Sequence, residues 1–464
     1  MRYQGPAASP GGGGQSGRGP PPPPPPPRAP PPPGPPPPGG RRPAVPGTVL
    51  ALGAVSLITD VSAEMITAVL PLYVVTALGL SPLGFGLLDG INNGVGALVR
   101  LAGGHLADGG GRRHKVVAGL GYGLSALCKP LLLVAQGLPA ISAVLAVDRA
   151  GKGLRTAPRD AMISLSTRPE HRGRAFGVHR AMDTAGALLG PLAAFAVLRI
   201  AVDGYDAVFT VSACVAALGV LVLVLFVPAR PGGEPRTPRP AATAPTPARP
   251  ALRDSLALLR RPALRRLTLC AALLGLTTVS DAFLYLLLQR ELGVPAELFP
   301  LLPLGTAAVF LLLAVPLGAL ADRAGRRRLF LAGHAALLLA YALILAPLHG
   351  PATVVAVLVL HGAFYAATDG VLAAATASAV PAAHLGAGQA LVGTGQALAR
   401  FVCSLAFGAA WSLWDGRSAL AVAAVALAAA AVGAARLLRT PDAPDRSPGG
   451  TADGDRPTPE GAPR

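Results

Sequence analysis

Gly104-His-Leu-Ala-Asp108-Gly-Gly-Gly111-Arg112-Arg113 and Gly318-Ala-Leu-Ala-Asp322-Arg-Ala-Gly325-Arg326-Arg327 are nearly the same stretch, written once in each half of the chain. Each follows an apolar run and precedes another, so each reads as a tight, charged turn between two hydrophobic segments. A short loop repeated at matching positions points to a duplicated bundle.

The composition around those loops is that of a membrane protein. Of 464 residues, 52% are hydrophobic and only 14% charged, against about 25% charged in soluble domains. Apolar runs recur at lengths near the roughly 20 residues that cross a bilayer as a helix. They are built from Ala, Leu, Val and Gly, and small residues let helices approach closely inside lipid. The formal net charge of +17 is no nucleic-acid signal, because most Arg residues flank spans on one side. Cys128, Cys214, Cys270 and Cys403 all fall inside apolar runs without metal-ligand spacing and read as small buried hydrophobes, with no disulfide implied. The Gly/Pro opening predicts no cleavable signal peptide.

Organisation follows from the apolar runs. Residues 1–46 are a Pro/Gly-rich tail that cannot bury a core. An N-terminal half covers 47–228, a Pro/Arg-rich connector 229–262, a C-terminal half 263–439 and a polar tail 440–464. Spans are predicted at 48–78, 83–106, 116–136, 140–163, 174–200 and 207–228, then at 265–289, 299–321, 328–347, 352–378, 385–411 and 418–438. Basic residues cluster in the tail (Arg41, Arg42), after span 2 (Arg112, Arg113, Lys115), after span 4 (Arg168, Arg172, Arg174), in the connector and after span 8 (Arg323, Arg326, Arg327, Arg328). Loops after odd-numbered spans are nearly free of them, Arg290 excepted. The positive-inside rule then puts both termini in the cytoplasm of a multi-pass plasma-membrane protein.

Charges inside the spans ask for a reason, since each costs about 2.5–3.5 kcal/mol at a helix centre. Span 1 carries Asp60 and Glu64, one helical turn apart. Span 4 carries Asp148, Lys152, Arg155 and Arg159 on one stripe, with Arg149 beside it. Pairing between the span 1 acids and the span 4 bases is the expected way to lower that cost. Span 7 adds Asp281, span 10 His361 and Asp369, and span 11 Arg400. Spans 2, 3 and 5 add Asp89, Arg100, Lys129, His179, Arg180 and Asp183.

The repeated G-x-L-A-D-x-x-G-R-R loop resembles the signature loop of the major facilitator superfamily, which joins the second and third spans of each half. The resemblance implies an all-α membrane protein of twelve transmembrane helices in two six-helix halves, with spans 1, 4, 7 and 10 lining a central cavity. It implies that Gly104, Asp108, Gly111 and Arg112, with Gly318, Asp322, Gly325 and Arg326, control conformational exchange. The first copy departs from the usual form in having Gly109 where a basic residue is common.

Arg149 followed four residues later by Gly153 resembles the family's span 4 motif. That implies a role for Arg149 in proton coupling beside Asp60 and Glu64; the alternative is an ion pair with either acid that only holds two helices together. Gly186-Ala-Leu-Leu-Gly190-Pro191 in span 5 resembles the motif of exporters, and small residues four apart also serve plain helix packing. The run from Ile58 through Asp60 and Glu64 to Pro71 resembles the acidic first-span element of bacterial drug–proton antiporters.

No nucleotide loop exists, and the eight His residues form no ligand set. The expectation is therefore a monomeric transporter without cofactor or metal, not an enzyme, whose partners are a small-molecule substrate, protons and the lipid bilayer, with no nucleic acid. The preferred function is proton-coupled efflux of a small organic compound by alternating access. Lys152, Arg155, Asp281 and Asp369 are expected in the substrate cavity, and the balance of charge leans towards a cationic or amphiphilic compound. Two alternatives stay open: uptake of an organic anion clamped by span 4, and a non-transporting sensor or scaffold on the same fold.

Overall fold

A computed structural model describes residues 45–106, 112–168, 171–201, 204–229, 257–380 and 385–438. The first half comprises α1 (Gly47–Leu72), α2 (Pro82–Leu106), α3 (Arg112–Val134), α4 (Gly137–Leu165), α5 (Arg172–Ile200) and α6 (Gly204–Phe226). The second comprises α7a (Pro262–Thr277), α7b (Asp281–Glu291), α8 (Leu301–Ala324), α9 (Arg326–Leu345), α10 (Pro351–Ala379), α11 (Leu385–Leu413) and α12 (Gly416–Leu437). Counting α7a and α7b as one crossing, the described residues form twelve crossings in two six-helix halves.

Ten of the crossings are long and apolar enough to span a membrane on composition alone. The other two are α2 and α4, the helices that carry Asp89, Asn92 and Asn93 and the six charged residues between Asp148 and Asp160. Polarity disqualifies them individually, so their place in a bilayer depends on neighbours covering those groups.

The two halves meet chiefly through α2 against α11, with α5 against α8 and α1 against α7b. At the α2–α11 contact a Cβ on Gly86 would lie 2.5 Å from the Ser404 carbonyl oxygen, and one on Gly408 would lie 2.5 Å from that of Pro82. Small residues thus bring the two backbones together where polar burial is otherwise expensive. Aromatic rings seal the same end. Phe85 of α2 stands edge-on to Phe283 of α7b at 4.9 Å, and Phe283 in turn meets Phe407 at 4.9 Å and Trp411 at 5.8 Å. These contacts join the halves at their distal end, opposite the starts of α1 and α7a.

The break in the seventh crossing is not foreshadowed in the sequence. Thr278 and Ser280 take extended backbone angles and interrupt the hydrogen-bond ladder. Neighbouring helices satisfy the freed groups: the Val279 N–H donates to the Tyr341 hydroxyl at 3.0 Å, and the Cys403 thiol donates to the Thr278 carbonyl at 3.3 Å. Broken helices are tolerated in a membrane under that condition.

The second signature loop is only Gly325. Its φ of +94° and ψ of 127° close α8 and open α9, and its N–H donates to the Ala321 carbonyl at 3.1 Å. L-residues with a Cβ avoid this backbone region, so the motif's glycine is a steric requirement of the turn. Gly325→Ala is expected to cost about 1–3 kcal/mol, read as a lowered unfolding temperature of the purified protein; an unchanged melt would remove the steric account.

Cys128, Cys270 and Cys403 are buried as expected, but Cys214 is exposed, on an outward face of α6. An apolar run meets either lipid or protein, so hydrophobicity alone could not separate the two. The tails, nearly all of the connector, Asp108, Gly111 and the side chains of Arg112 and Asp322 lie outside the described residues.

Candidate functional site

Between the halves lies a cavity of about 440 Å³, walled by α1, α2, α7b, α8, α10 and α11. A second chamber of about 430 Å³ shares Asn92, Asn93 and Arg400 with it and extends along α4 past Arg149, Lys152 and Thr156. The first chamber lies towards the distal end, the second towards the chain termini. Together they fall within the roughly 300–1,000 Å³ of small-molecule sites.

Beside these chambers α1, α4 and α5 build a charge cluster. Asp60 is buried, at 6% exposure, and takes the Arg155 guanidinium at 3.1 Å and the Lys152 ammonium at 3.6 Å. Lys152 also reaches Glu64 at 3.6 Å. The Asp183 carboxyl of α5 approaches that of Asp60 within hydrogen-bonding reach, and Arg159 lies 3.8 Å from Asp183. Ser56 joins the set, contacting the Tyr122 hydroxyl at 3.3 Å and His179 Nε2 at 3.1 Å. The expected pairing of span 1 acids with span 4 bases is therefore the observed geometry, with Asp183 as a third acid.

Two placements differ from the sequence reading. Arg155, expected on the cavity wall, is buried inside the bundle, hydrogen-bonded to Asp60 and stacked 4.4 Å over the Tyr122 ring. A guanidinium deep in an apolar bundle is held where it gains both a carboxylate and a π-face. Arg149 does not pair with Asp60 or Glu64. It lies 3.5 Å from Asp148 and donates to Thr67 Oγ1 at 3.5 Å, while facing the second chamber. Asp148 itself turns to α3, accepting from Lys129 at 2.9 Å and from Ser125 at 2.5 Å. The stripe on α4 is thus divided between two neighbours.

In the second half Asp281 is the first residue of α7b and faces the cavity, its side chain 42% exposed. Tyr365 donates to it at 2.6 Å, and His361 Nε2 lies 3.2 Å away. Asp369 of α10 and Arg400 of α11 also line the cavity. Asp89 of α2 is buried at its edge and accepts from Ser404 at 2.5 Å, tying the halves together. Asp281 and Asp369 thus line the first chamber and Lys152 the second. Arg400 and Asp89 belong with them; their intramembrane charge was the available signal, whereas nothing in the sequence marks Tyr365.

The Gly186–Gly190 pair of α5 packs on α1. A Cβ on Gly186 would lie 2.5 Å from the Leu57 carbonyl oxygen, and one on Gly190 would lie 2.6 Å from Glu64 Cβ. Close packing thus accounts for both glycines, and it presses α5 against the Asp60–Glu64 turn.

The family model of the Major Facilitator Superfamily matches residues 52–313 and 267–462. The chain belongs to the major facilitator superfamily. An uncharacterized MFS-type transporter of Methanocaldococcus jannaschii is 33% identical over 183 residues, 39% of this chain and 45% of that protein. An uncharacterized protein of Mycobacterium tuberculosis is 33% identical over 213 residues, 43% of this chain and 47% of that protein. The match thus spans less than half the length of these relatives. Among solved structures, a variant of the nucleoside transporter NupG superposes with a TM-score of 0.69 at 13% identity, covering 84% of this chain and all of that one. That likeness concerns the superfamily fold of two six-helix halves.

Proposed function

We propose that this chain is a secondary transporter that exports a small organic compound in exchange for protons by alternating access. The observation that carries the reading is the Asp60–Glu64–Asp183 carboxyl set. It is paired with Arg155, Lys152 and Arg159, with Asp60 buried, and placed beside the cavity between the halves. Carboxyls whose counter-ions lie on a different helix gain or lose those partners when helices shift, and that links protonation to conformation. Arg149, on the second chamber and bonded to Asp148 and Thr67, transmits the state of α4 to that chamber. The Gly186–Gly190 contact is suited to slide α5 over α1 at the acidic turn, which supports the export reading of the span 5 motif.

Orientation follows from the basic loops: both termini are cytoplasmic, and the halves joined at the distal end then correspond to an inward-facing state. The two signature loops then sit at the cytoplasmic rim and set the rate of exchange. The protein works as a monomer in the plasma membrane.

The test is flux in proteoliposomes. An imposed pH gradient should drive movement of the transported solute, and dissipating the gradient should abolish it; flux indifferent to pH would exclude proton coupling. Sidedness is checked with Thr237→Cys in a Cys-free background. Labelling of that site in intact cells by an impermeant reagent would reverse the orientation and with it the assignment of export.

A further inference from the structure

Charge in the cavity is layered. The distal chamber carries Glu64, Asp89, Asp281 and Asp369 on its walls. The chamber towards the termini carries Arg149, Lys152 and Arg400 with the amides of Asn92, Asn93 and Gln396, and among the described residues no carboxylate lines it. Arg400 stands where the two meet. It lines both chambers and shares the first with Asp281, Asp369 and Asp89, yet among the described residues neither it nor Asp369 closes an ion pair within 4.0 Å, and Arg400 Nε has no hydrogen-bond partner.

An acid and a guanidinium that attract across a cavity without meeting leave room for a molecule carrying the complementary pair. A purely anionic solute would meet four carboxyl groups at the distal end, and a purely cationic one would meet three bases at the other. A neutral solute would leave Asp369 and Arg400 without partners, which is costly for charges removed from bulk water. A dipolar solute offsets both. Arg suits a carboxylate or phosphonate by its fork of donors, and Asp suits an ammonium.

We infer that the transported compound is a zwitterion, its anionic group held by Arg400 with Arg149 and Lys152, and its cationic group by Asp369 and Asp281. This rests on the transporter reading above and narrows its substrate class; the anionic end points towards the chain termini.

The experiment measures equilibrium binding to the purified full-length protein by thermal shift and calorimetry. It uses compounds matched on one scaffold: phenylalanine, phenethylamine and 3-phenylpropionate, then 4-aminobutyrate, butylamine and butyrate. At least one zwitterion is expected to bind at least tenfold more tightly than both singly charged partners. Arg400→Gln should lower that affinity at least tenfold while leaving the amine's unchanged. Asp369→Asn should weaken zwitterion and amine and spare the carboxylate. Should Arg400→Gln fail to fold, Arg400→Lys, which keeps the charge and loses the fork, and Asp369→Asn carry the test. Binding by neither zwitterion, a preference for a singly charged member on both scaffolds, or folded variants of undiminished affinity would each overturn the inference. Flux of some other solute under a pH gradient would then leave the transport reading standing. Tight zwitterion binding without any flux would do the reverse.

Discussion

Asp60→Asn is expected to abolish proton-driven transport and to lower folding stability by about 3–5 kcal/mol. Both effects come from the same geometry. Asp60 is the only carboxylate within 4.0 Å of the buried Arg155 guanidinium among the described residues. An amide there leaves that guanidinium uncompensated in the bundle. Lys152 loses one of two acids, but at 36% side-chain exposure it reaches cavity water and contributes little to the cost. The two effects are separable. In the double variant Asp60→Asn, Arg155→Gln no unpaired charge is left, so most of the stability should return, whereas coupling should not. Melting temperature and pH-gradient flux, measured on the native protein and both variants, check this. A single variant that still concentrates substrate against its gradient would make Asp60 structural and move the proton site to Asp281 or Asp369.

The fold was legible because its signal is long-range and periodic. The expected spans 48–78 and 140–163 meet the observed Gly47–Ala77 and Gly137–Leu165, since hydropathy over twenty residues averages out local detail. The pairing of Asp60 and Glu64 with α4 was also legible, because an intramembrane charge has few affordable surroundings. What stayed hidden is rotational. Arg149 and Arg155 lie on one helix six residues apart, and small rotations decide which meets Asp60 and which faces the chamber. The α7 break at Thr278–Ser280 was hidden for another reason: no Pro or Gly marks it, and Tyr341 and Cys403, which stabilise it, come from distant spans.

Not every intramembrane charge in this chain is expected to serve transport, and Lys129–Asp148 is where the difference should be largest. Both side chains are about 4% exposed or less, 2.9 Å apart, with Ser125 completing the acceptor side. They join α3 to α4, and neither lines either cavity chamber. Asp148→Ala strands the Lys129 ammonium among apolar side chains and should cost about 3–5 kcal/mol, enough to deplete folded protein in the membrane. Lys129→Met, Asp148→Leu removes both charges of the pair and refills the volume, so most of the lost stability should return, short of the native level by what Arg149 loses with its 3.5 Å partner. Transport by that double variant should be largely preserved, because Arg149 loses its contact with Asp148 but keeps its bond to Thr67 and its place on the second chamber. Thermal melts with vesicle flux decide the matter. A double variant that is stable but inactive would mean that the pair changes partners during the transport cycle, and the role assigned here to the Asp60 cluster would then extend across α4 to α3.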